Sequence, residues 1–112
     1  MPYITFTTTK ILTLQQELDL KKKAGKLVSI LGKSESHLMI HIEDNQLMYF
    51  RGEEEHCMMI QFNGYRHVDY DKKKAFVEEL IKESAKVTKV PIDNIYVTIS
   101  EFDNWGMFQE YV

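Results

Sequence analysis

The first two residues, Met1 and Pro2, place a proline where it could act as an acid–base group. Aminopeptidases readily remove methionine ahead of a small second residue, and that removal would leave Pro2 with a free secondary amine. While it is joined to Met1, the same nitrogen is an amide with no hydrogen and no useful basicity. A free α-amino group has a pKa of about 8, which burial or a neighbouring cation would lower. A sequence that begins Met1-Pro2 indicates either proton transfer at Pro2 or a proline that is simply tolerated at this position.

Other reactive side chains do not form a catalytic or metal-binding pattern. Cys57 is the only cysteine, so an intramolecular disulfide cannot be part of the fold, and we expect a buried structural thiol. His37 and His41 would be about 13 Å apart along a strand, at about 3.3 Å per residue, which is too far to chelate one metal ion. His56 and Cys57 would point to opposite faces of a strand. The sequence therefore predicts no metal site.

Composition narrows the class of protein. The chain has 112 residues, 44% hydrophobic and 28% charged, which fits one globular domain over residues 1–112. A net charge of −3 disfavours broad attraction to nucleic acid or to anionic membranes. No stretch approaches the roughly 18 apolar residues that span a bilayer, and no signal sequence is evident. We expect a soluble, cytoplasmic protein that binds neither nucleic acid nor membrane.

The first half of the sequence predicts a strand, a helix and a strand. Residues 3–8 are rich in aromatic and β-branched side chains, as strands are. Thr13 and Gln16 have the spacing of a capping box, and apolar residues then recur at helical intervals up to Gly32. Residues 38–43 alternate between apolar and polar side chains, which indicates a second strand.

The second half predicts a similar series. Residues 47–50 form a short apolar strand, and residues 57–63 form a longer one that Gly64 breaks. Asp69 or Asp71 caps a helix that ends before Pro91, and residues 95–100 form a further strand. The predicted buried face of this helix comprises Ala75, Phe76, Leu80, Ile81, Ala85 and Val87. The aromatic tail, residues 101–112, should be tied to the rest of the fold.

The two halves repeat at an offset of about 57 residues, which suggests a doubled β-α-β unit. Right-handed crossovers would place both helices on one face of a four-stranded mixed sheet, an α/β (α+β) fold. The face of the sheet opposite the helices would have to be covered. The apolar strand at 47–50 should also not remain unpaired at an edge of the sheet. We therefore expect self-association, with a subunit number that these patterns do not fix.

Several short segments carry a resemblance to a known family. They are Met1-Pro2-Tyr3-Ile4, Ile30-Leu31-Gly32-Lys33, Asp44-Asn45-Gln46-Leu47-Met48, Cys57, Ile95-Tyr96-Val97 and Asn104-Trp105-Gly106. In this order and spacing the chain resembles the macrophage migration inhibitory factor and D-dopachrome tautomerase family of the tautomerase superfamily. The resemblance implies a homotrimer with active sites between subunits. It also implies cofactor-free keto–enol tautomerisation of aryl α-keto acids such as phenylpyruvate.

The resemblance assigns the catalytic roles to Pro2 and Lys33. Pro2 would carry the proton, and Lys33 would bind the substrate carboxylate or carbonyl oxygen and help to keep Pro2 neutral. A lysine just after Gly32 could instead only complement the dipole of the preceding helix. Tyr65 occupies the family position whose backbone N–H contacts the bound acid. Its ring departs from the family and could narrow the pocket mouth.

Further residues are assigned to substrate binding by the same resemblance. Tyr96 would come from the adjacent subunit and form a wall of the pocket. Thr98 replaces the asparagine of better-known members, so a shorter hydroxyl stands where an amide would bind. Tyr3 would line the pocket, and Trp105 and Phe108 would close its aromatic side, although tail aromatics also serve for packing alone.

A second function remains open from the sequence. Family members also act outside cells on receptors without a leader peptide. The alternative is thus a cytokine-like signalling or receptor-binding protein, reached by leaderless secretion, with vestigial tautomerase activity. Thiol–disulfide exchange is not an alternative, because Ile60 replaces the second cysteine of the Cys-x-x-Cys motif that some relatives carry.

Overall fold

The computed structural model describes residues 1–112 as a four-stranded sheet, two long helices and a small terminal hairpin. The elements are β1 (Pro2–Thr8), α1 (Leu14–Leu27), β2 (Met39–Glu43), β3 (Met58–Tyr65), α2 (Tyr70–Thr88), β4 (Ile95–Phe102), β5 (Gly106–Met107) and β6 (Glu110–Tyr111). Short 3₁₀ turns cover Val28–Leu31, Glu35–His37 and Ile92–Asn94. No helix combines the length and the apolar character that a membrane span requires.

Helix α1 begins at the predicted capping box. The Thr13 hydroxyl accepts the Gln16 N–H at 3.1 Å, and the Gln16 side-chain oxygen accepts the Thr13 N–H at 2.9 Å. Both bonds satisfy backbone donors that the first helical turn would leave free. After a 3₁₀ turn the chain leaves the helix at Gly32, whose φ of 71° is left-handed. This exit aims the next residue, Lys33, back toward the sheet.

The sheet confirms the doubled β-α-β unit. Its strand order is β2-β1-β3-β4, in which β1 and β2 are parallel, β3 and β4 are parallel, and β1 and β3 are antiparallel. Corresponding elements of the two units begin about 56 residues apart. Each unit therefore places its helix on the same face of the sheet, as right-handed crossovers require.

The core lies between the helices and this face of the sheet. Alternate residues of the central strands are fully buried, among them Ile4 and Phe6 of β1 and Phe62 of β3. Phe62 meets Phe76 of α2 edge-to-face, with ring centroids 5.3 Å apart. The fully buried residues of α2 are Phe76, Leu80, Ser84 and Thr88. The predicted Ile81, Ala85 and Val87 are partly buried and pack against the same core. Ala75, which the sequence placed on the buried face of α2, is exposed because the buried stripe runs at four-residue intervals from Phe76.

Two predicted strand features are wrong. Residues 47–50 do not form a strand: Phe50 exchanges both backbone hydrogen bonds with Glu53, at 2.8 and 3.0 Å. Arg51 and Gly52 both have left-handed φ angles and turn the chain back on itself, so it cannot extend along the sheet. Gly64 does not break β3, which continues to Tyr65 and pairs on both sides.

The tail folds into the β5–β6 hairpin. Phe108 and Gln109 at its tip have φ angles of 51° and 68°, the left-handed pair that a tight two-residue hairpin turn needs. At the open end, Trp105 and Val112 exchange backbone hydrogen bonds of 3.2 and 2.9 Å. The tail is therefore an ordered element, which lets it contribute to a site.

Candidate active site

Pro2 lies at the buried start of β1, in line with two residues of neighbouring strands. It pairs with Gly64 of β3, and Gly64 pairs in turn with Glu101 of β4. Alternation along the strands turns all three toward the helices. At this end of the sheet, the N-terminus, a glycine and a carboxylate therefore lie side by side on neighbouring strands.

A cavity of about 390 Å³ opens beside Pro2. Three segments form its wall: the N-terminus, the stretch before and at the start of β2, and the tail hairpin. The lining residues are Met1, Pro2, Tyr3, Ser36, His37, Leu38, Met39, Trp105, Gly106, Met107 and Phe108. Four of the residues predicted to bind substrate or carry the proton, Pro2, Tyr3, Trp105 and Phe108, are therefore brought together within one chain.

The aromatic side of the cavity is built by contacts between segments. The Phe108 ring meets the His37 ring edge-to-face at 5.8 Å, and Trp105 lies 6.0 Å from Phe102 at the end of β4. The Tyr3 hydroxyl lies 3.4 Å from Nδ1 of His41. This wall suits a flat apolar group, with an imidazole at one position.

Lys33 lies beside the cross-strand row of residues that contains Pro2. Its ammonium donates a hydrogen bond to the carbonyl oxygen of Tyr65 at 3.0 Å. A Cβ on Gly64 would lie 3.4 Å from Cε of Lys33, so the lysine stem passes against the residue paired with Pro2. Lys33 is not part of the cavity wall itself, but its charge lies close enough to act on the terminal amine.

The surroundings favour the neutral form of a terminal amine. Burial first, and the charge of Lys33 second, lower the pKa of the amine at Met1. Burial also lowers the pKa of Lys33, while the negative charge of Glu101 opposes this shift. Removal of Met1 would move the free amine one residue further into this environment, to the buried Pro2.

The side chain of Tyr65 does not enter the cavity. Strand alternation turns it to the face opposite Gly64, where its hydroxyl accepts a hydrogen bond from Arg66 at 3.1 Å and the guanidinium lies 4.9 Å from the ring centre. Within one chain the ring therefore does not narrow the cavity. What reaches the site from Tyr65 is its backbone, held by Lys33.

Tyr96 and Thr98 lie far from Pro2 of the same chain. Tyr96 is level with Met59 of β3, which is level with Thr7 of β1. That position is five residues from Pro2 along the strand, or about 16 Å at about 3.3 Å per residue, and two strands across the sheet. Tyr96 is 59% exposed on the edge strand. Its predicted role depends on delivery to the cavity of another subunit.

Six further residues line the cavity that the sequence does not predict as site residues: Ser36, His37, Leu38, Met39, Gly106 and Met107. The order of the predicted elements does contain a signal for the first four of these residues. Parallel strands of a β-α-β unit start at the same edge of the sheet, and the register joins Tyr3 to Met39. The residues just before β2 must therefore lie beside Pro2. His37 belongs to the 3₁₀ turn Glu35–His37 and not to the strand.

The remaining reactive groups lie elsewhere. Cys57 is buried, and its carbonyl accepts the Thr8 hydroxyl at 2.7 Å, at the far end of β1 from Pro2. Burial, and then the charge of Glu55, raise the pKa of the Cys57 thiol, which keeps it protonated and unreactive. No three His, Cys, Asp or Glu side chains converge in a way that could hold a metal ion.

Comparisons with known proteins agree on one family. The family model described as macrophage migration inhibitory factor matches residues 1–110. A macrophage migration inhibitory factor homolog of Brugia malayi is 28% identical over 107 residues, which cover 96% of this chain and 93% of that one. The homolog of Wuchereria bancrofti is 31% identical over 97 residues, or 87% and 84% of the two chains.

Solved structures show the same fold. The crystal structure of Leishmania major MIF2 superposes with a TM-score of 0.93 at 19% sequence identity, covering 100% of this chain and 97% of that one. The superposition spans the whole of this chain, including the residues of the terminal hairpin.

Proposed function

The chain belongs to the macrophage migration inhibitory factor family, and from this premise we propose that it is a keto–enol tautomerase of aryl α-keto acids such as phenylpyruvate. The proton carrier is the secondary amine of Pro2 after removal of Met1. One observation carries the proposal: Pro2 is buried in the wall of an aromatic-lined cavity, paired with the glycine against which Lys33 packs.

The reaction needs one group that accepts and returns a proton. The neutral Pro2 nitrogen takes a proton from the carbon beside the ketone: the C–H bond breaks, an N–H bond forms and the electron pair moves to the carbonyl oxygen. The ammonium then returns the proton to that oxygen, which gives the enol, and the reverse sequence gives the ketone. Atoms and charge balance without a metal or cofactor. Burial and the charge of Lys33 lower the pKa of a terminal amine here, which favours the neutral form that can accept a proton.

Lys33 is the counter-charge for the acid substrate. Its ammonium already points at the Tyr65 carbonyl and has two further N–H donors. A carboxylate or a developing enolate oxygen beside Pro2 would be drawn to this charge. The aryl group then occupies the wall formed by Trp105 and Phe108. The proposed substrate therefore combines an acid, an α-ketone and a flat apolar ring.

The assembly we propose is a homotrimer. Tyr96 and Thr98 are exposed on the edge strand, out of reach of Pro2 in their own chain. A neighbouring subunit seated at this edge would receive both side chains in its cavity, and the face of the sheet opposite the helices would be covered. This arrangement gives each cavity residues from two subunits.

A direct test follows solvent deuterium into the substrate. Incubated with the processed enzyme in D₂O, phenylpyruvate should lose its C3 proton signal faster than in buffer alone, as followed by proton NMR. Loss of this exchange in the Pro2→Gly variant would support the proposal. Exchange no faster than in buffer, with Met1 shown to be absent by intact mass, would refute it.

A further inference from the structure

Glu101 is a largely buried acid with no part in the chemistry described above. It ends the row Pro2, Gly64, Glu101 across the sheet, and its side chain is 9% exposed. One carboxylate oxygen accepts the Val68 N–H at 2.7 Å, and the other accepts the Lys73 ammonium at 2.6 Å. A buried carboxylate needs such partners to remain charged, and they also fix its position.

The charged side chains around Glu101 form a connected group. Lys73 reaches Glu101 from α2, and Nδ1 of His67 lies 3.6 Å from the same carboxylate oxygen. The other ring nitrogen of His67 lies 3.3 Å from Asp103. Burial raises the pKa of Glu101, but the hydrogen bonds from Lys73 and Val68 and the charges of Lys73 and His67 outweigh it, so the pKa is lowered overall.

These contacts hold the segment that leaves β3. The Arg66 N–H donates to the Phe102 carbonyl at 2.7 Å, and two residues later the Val68 N–H donates to Glu101. The turn is therefore tied to β4 at two points, one of which is the carboxylate. Tyr65, whose carbonyl accepts the Lys33 ammonium, is the residue just before this turn.

We propose that Glu101 is a positioning residue for the tautomerase site, holding the Tyr65 peptide and the Lys33 ammonium in place beside Pro2. It acts in two ways. Its carboxylate anchors the turn that orients the Tyr65 carbonyl, and its negative charge favours the charged form of Lys33, against the effect of burial. Glu101 does not line the cavity, so it acts on substrate only through these two residues. The inference rests on the proposed function.

The kinetic test compares three variants with the wild type on phenylpyruvate, each with Met1 removed and the oligomeric state checked. Glu101→Ala loses both the anchor and the charge, and should raise KM about tenfold with kcat lowered less than about threefold. Glu101→Gln keeps an acceptor for the Val68 N–H and should fall between Ala and wild type. Glu78→Gln breaks the exposed Lys74–Glu78 pair on α2, the helix that carries Lys73, and should leave kcat and KM unchanged.

A second readout does not depend on turnover. Amide hydrogen exchange at Arg66 and Val68 should be about tenfold faster in Glu101→Ala than in wild type, with protection largely restored in Glu101→Gln. Unchanged exchange, or a KM within twofold of wild type in a folded Glu101→Ala protein, would overturn the positioning role. If wild type fails to turn over phenylpyruvate while the exchange rates change as expected, the proposed function fails and the anchoring of the Tyr65 turn stands.

Discussion

The ammonium of Lys33 donates to the carbonyl oxygen of Tyr65 at 3.0 Å. Tyr65 follows Gly64, the residue paired with Pro2, so this bond fixes a cation beside the N-terminus before any substrate is present. A charge held in advance contributes more to catalysis than one that must move during the reaction. The bond also holds the Lys33 charge close to the terminal amine, whose pKa is lowered by burial first and by this charge second.

Lys33→Met should alter both binding and pH dependence. Loss of the charged donor should raise KM for phenylpyruvate about tenfold or more, since hydrogen bonds to charged groups contribute about 1.5–3 kcal/mol. Lys33 lowers the pKa of the terminal amine, after burial, so its removal should raise that pKa. The acid limb of kcat/KM should therefore move to higher pH, measured as a pH–rate profile.

The matched control for this variant is Lys89→Met. Lys89 follows α2 as Lys33 follows the first helix and its 3₁₀ turn, and it is exposed near the opposite end of the sheet from Pro2. The control removes the same charge from the equivalent place in the second unit, so the pH profile should not move. An equal shift in both variants would show that net charge, and not proximity, sets the amine pKa.

Gly64→Ala should reduce activity by crowding the site. The added Cβ would lie 2.8 Å from a ring carbon of Phe62 and 3.4 Å from Cε of Lys33. The buried Phe62 ring packs against Phe76, so it has little room to yield. We expect a loss of stability of about 1–3 kcal/mol, from denaturant unfolding, and at least about a tenfold loss of kcat/KM.

A second variant with a similar loss of stability separates the effect on stability from the effect on activity. Gly52→Ala introduces a side chain at φ 75°, with open space around it, in the turn near Phe50. Backbone strain there should destabilise the fold by about 1–2 kcal/mol. Its kcat/KM should remain near wild type at temperatures where both variants are folded. Comparable activity losses in the two variants would argue against a specific role for Gly64 at the site.

Shared sites between subunits can be tested by complementation. Pro2→Gly should abolish activity, and Tyr96→Ala should lower it about tenfold or more by removing a cavity wall. Random mixed trimers should recover about a quarter of wild-type activity, because some sites then combine an intact Pro2 with an intact Tyr96 of the neighbour. The measurement unfolds and refolds the two variants together and assays the mixture. Activity equal to the mean of the parents would place Tyr96 outside the neighbouring site.

Most of the fold could be predicted from the sequence, because its signals are local. The capping box at Thr13, the left-handed exit at Gly32 and the alternation along β1 each depend on residues close together in the chain. The repeat of these signals after about 56 residues was enough to predict the sheet and the face that the helices cover. The errors occurred where tertiary structure overrides local preference. Gly64 continues its strand because neighbouring strands pair with it on both sides. The close approach of Phe62 and Lys33 accounts for the absence of a side chain there.

The candidate site was predicted less completely. Pro2, Tyr3, Trp105 and Phe108 line one cavity, and their roles in catalysis and binding stay predictions. The sequence marks His37 only as a candidate metal ligand that its spacing from His41 excludes, because its place beside Pro2 depends on the parallel register of β1 and β2. Glu101 carries no sequence signal for its role, because its partners Val68 and Lys73 come from segments that only folding brings together.

The most direct measurement is the rate of ketonisation of phenylpyruvate enol beside the intact mass of the same sample. Preparations that differ only in the fraction of chains from which Met1 has been removed should give rates proportional to the fraction that begins at Pro2. A homogeneous preparation that retains Met1 should be nearly inactive while remaining folded. Equal specific activity with and without Met1 would contradict the account, because the nitrogen of Pro2 cannot carry a proton while it is part of a peptide bond.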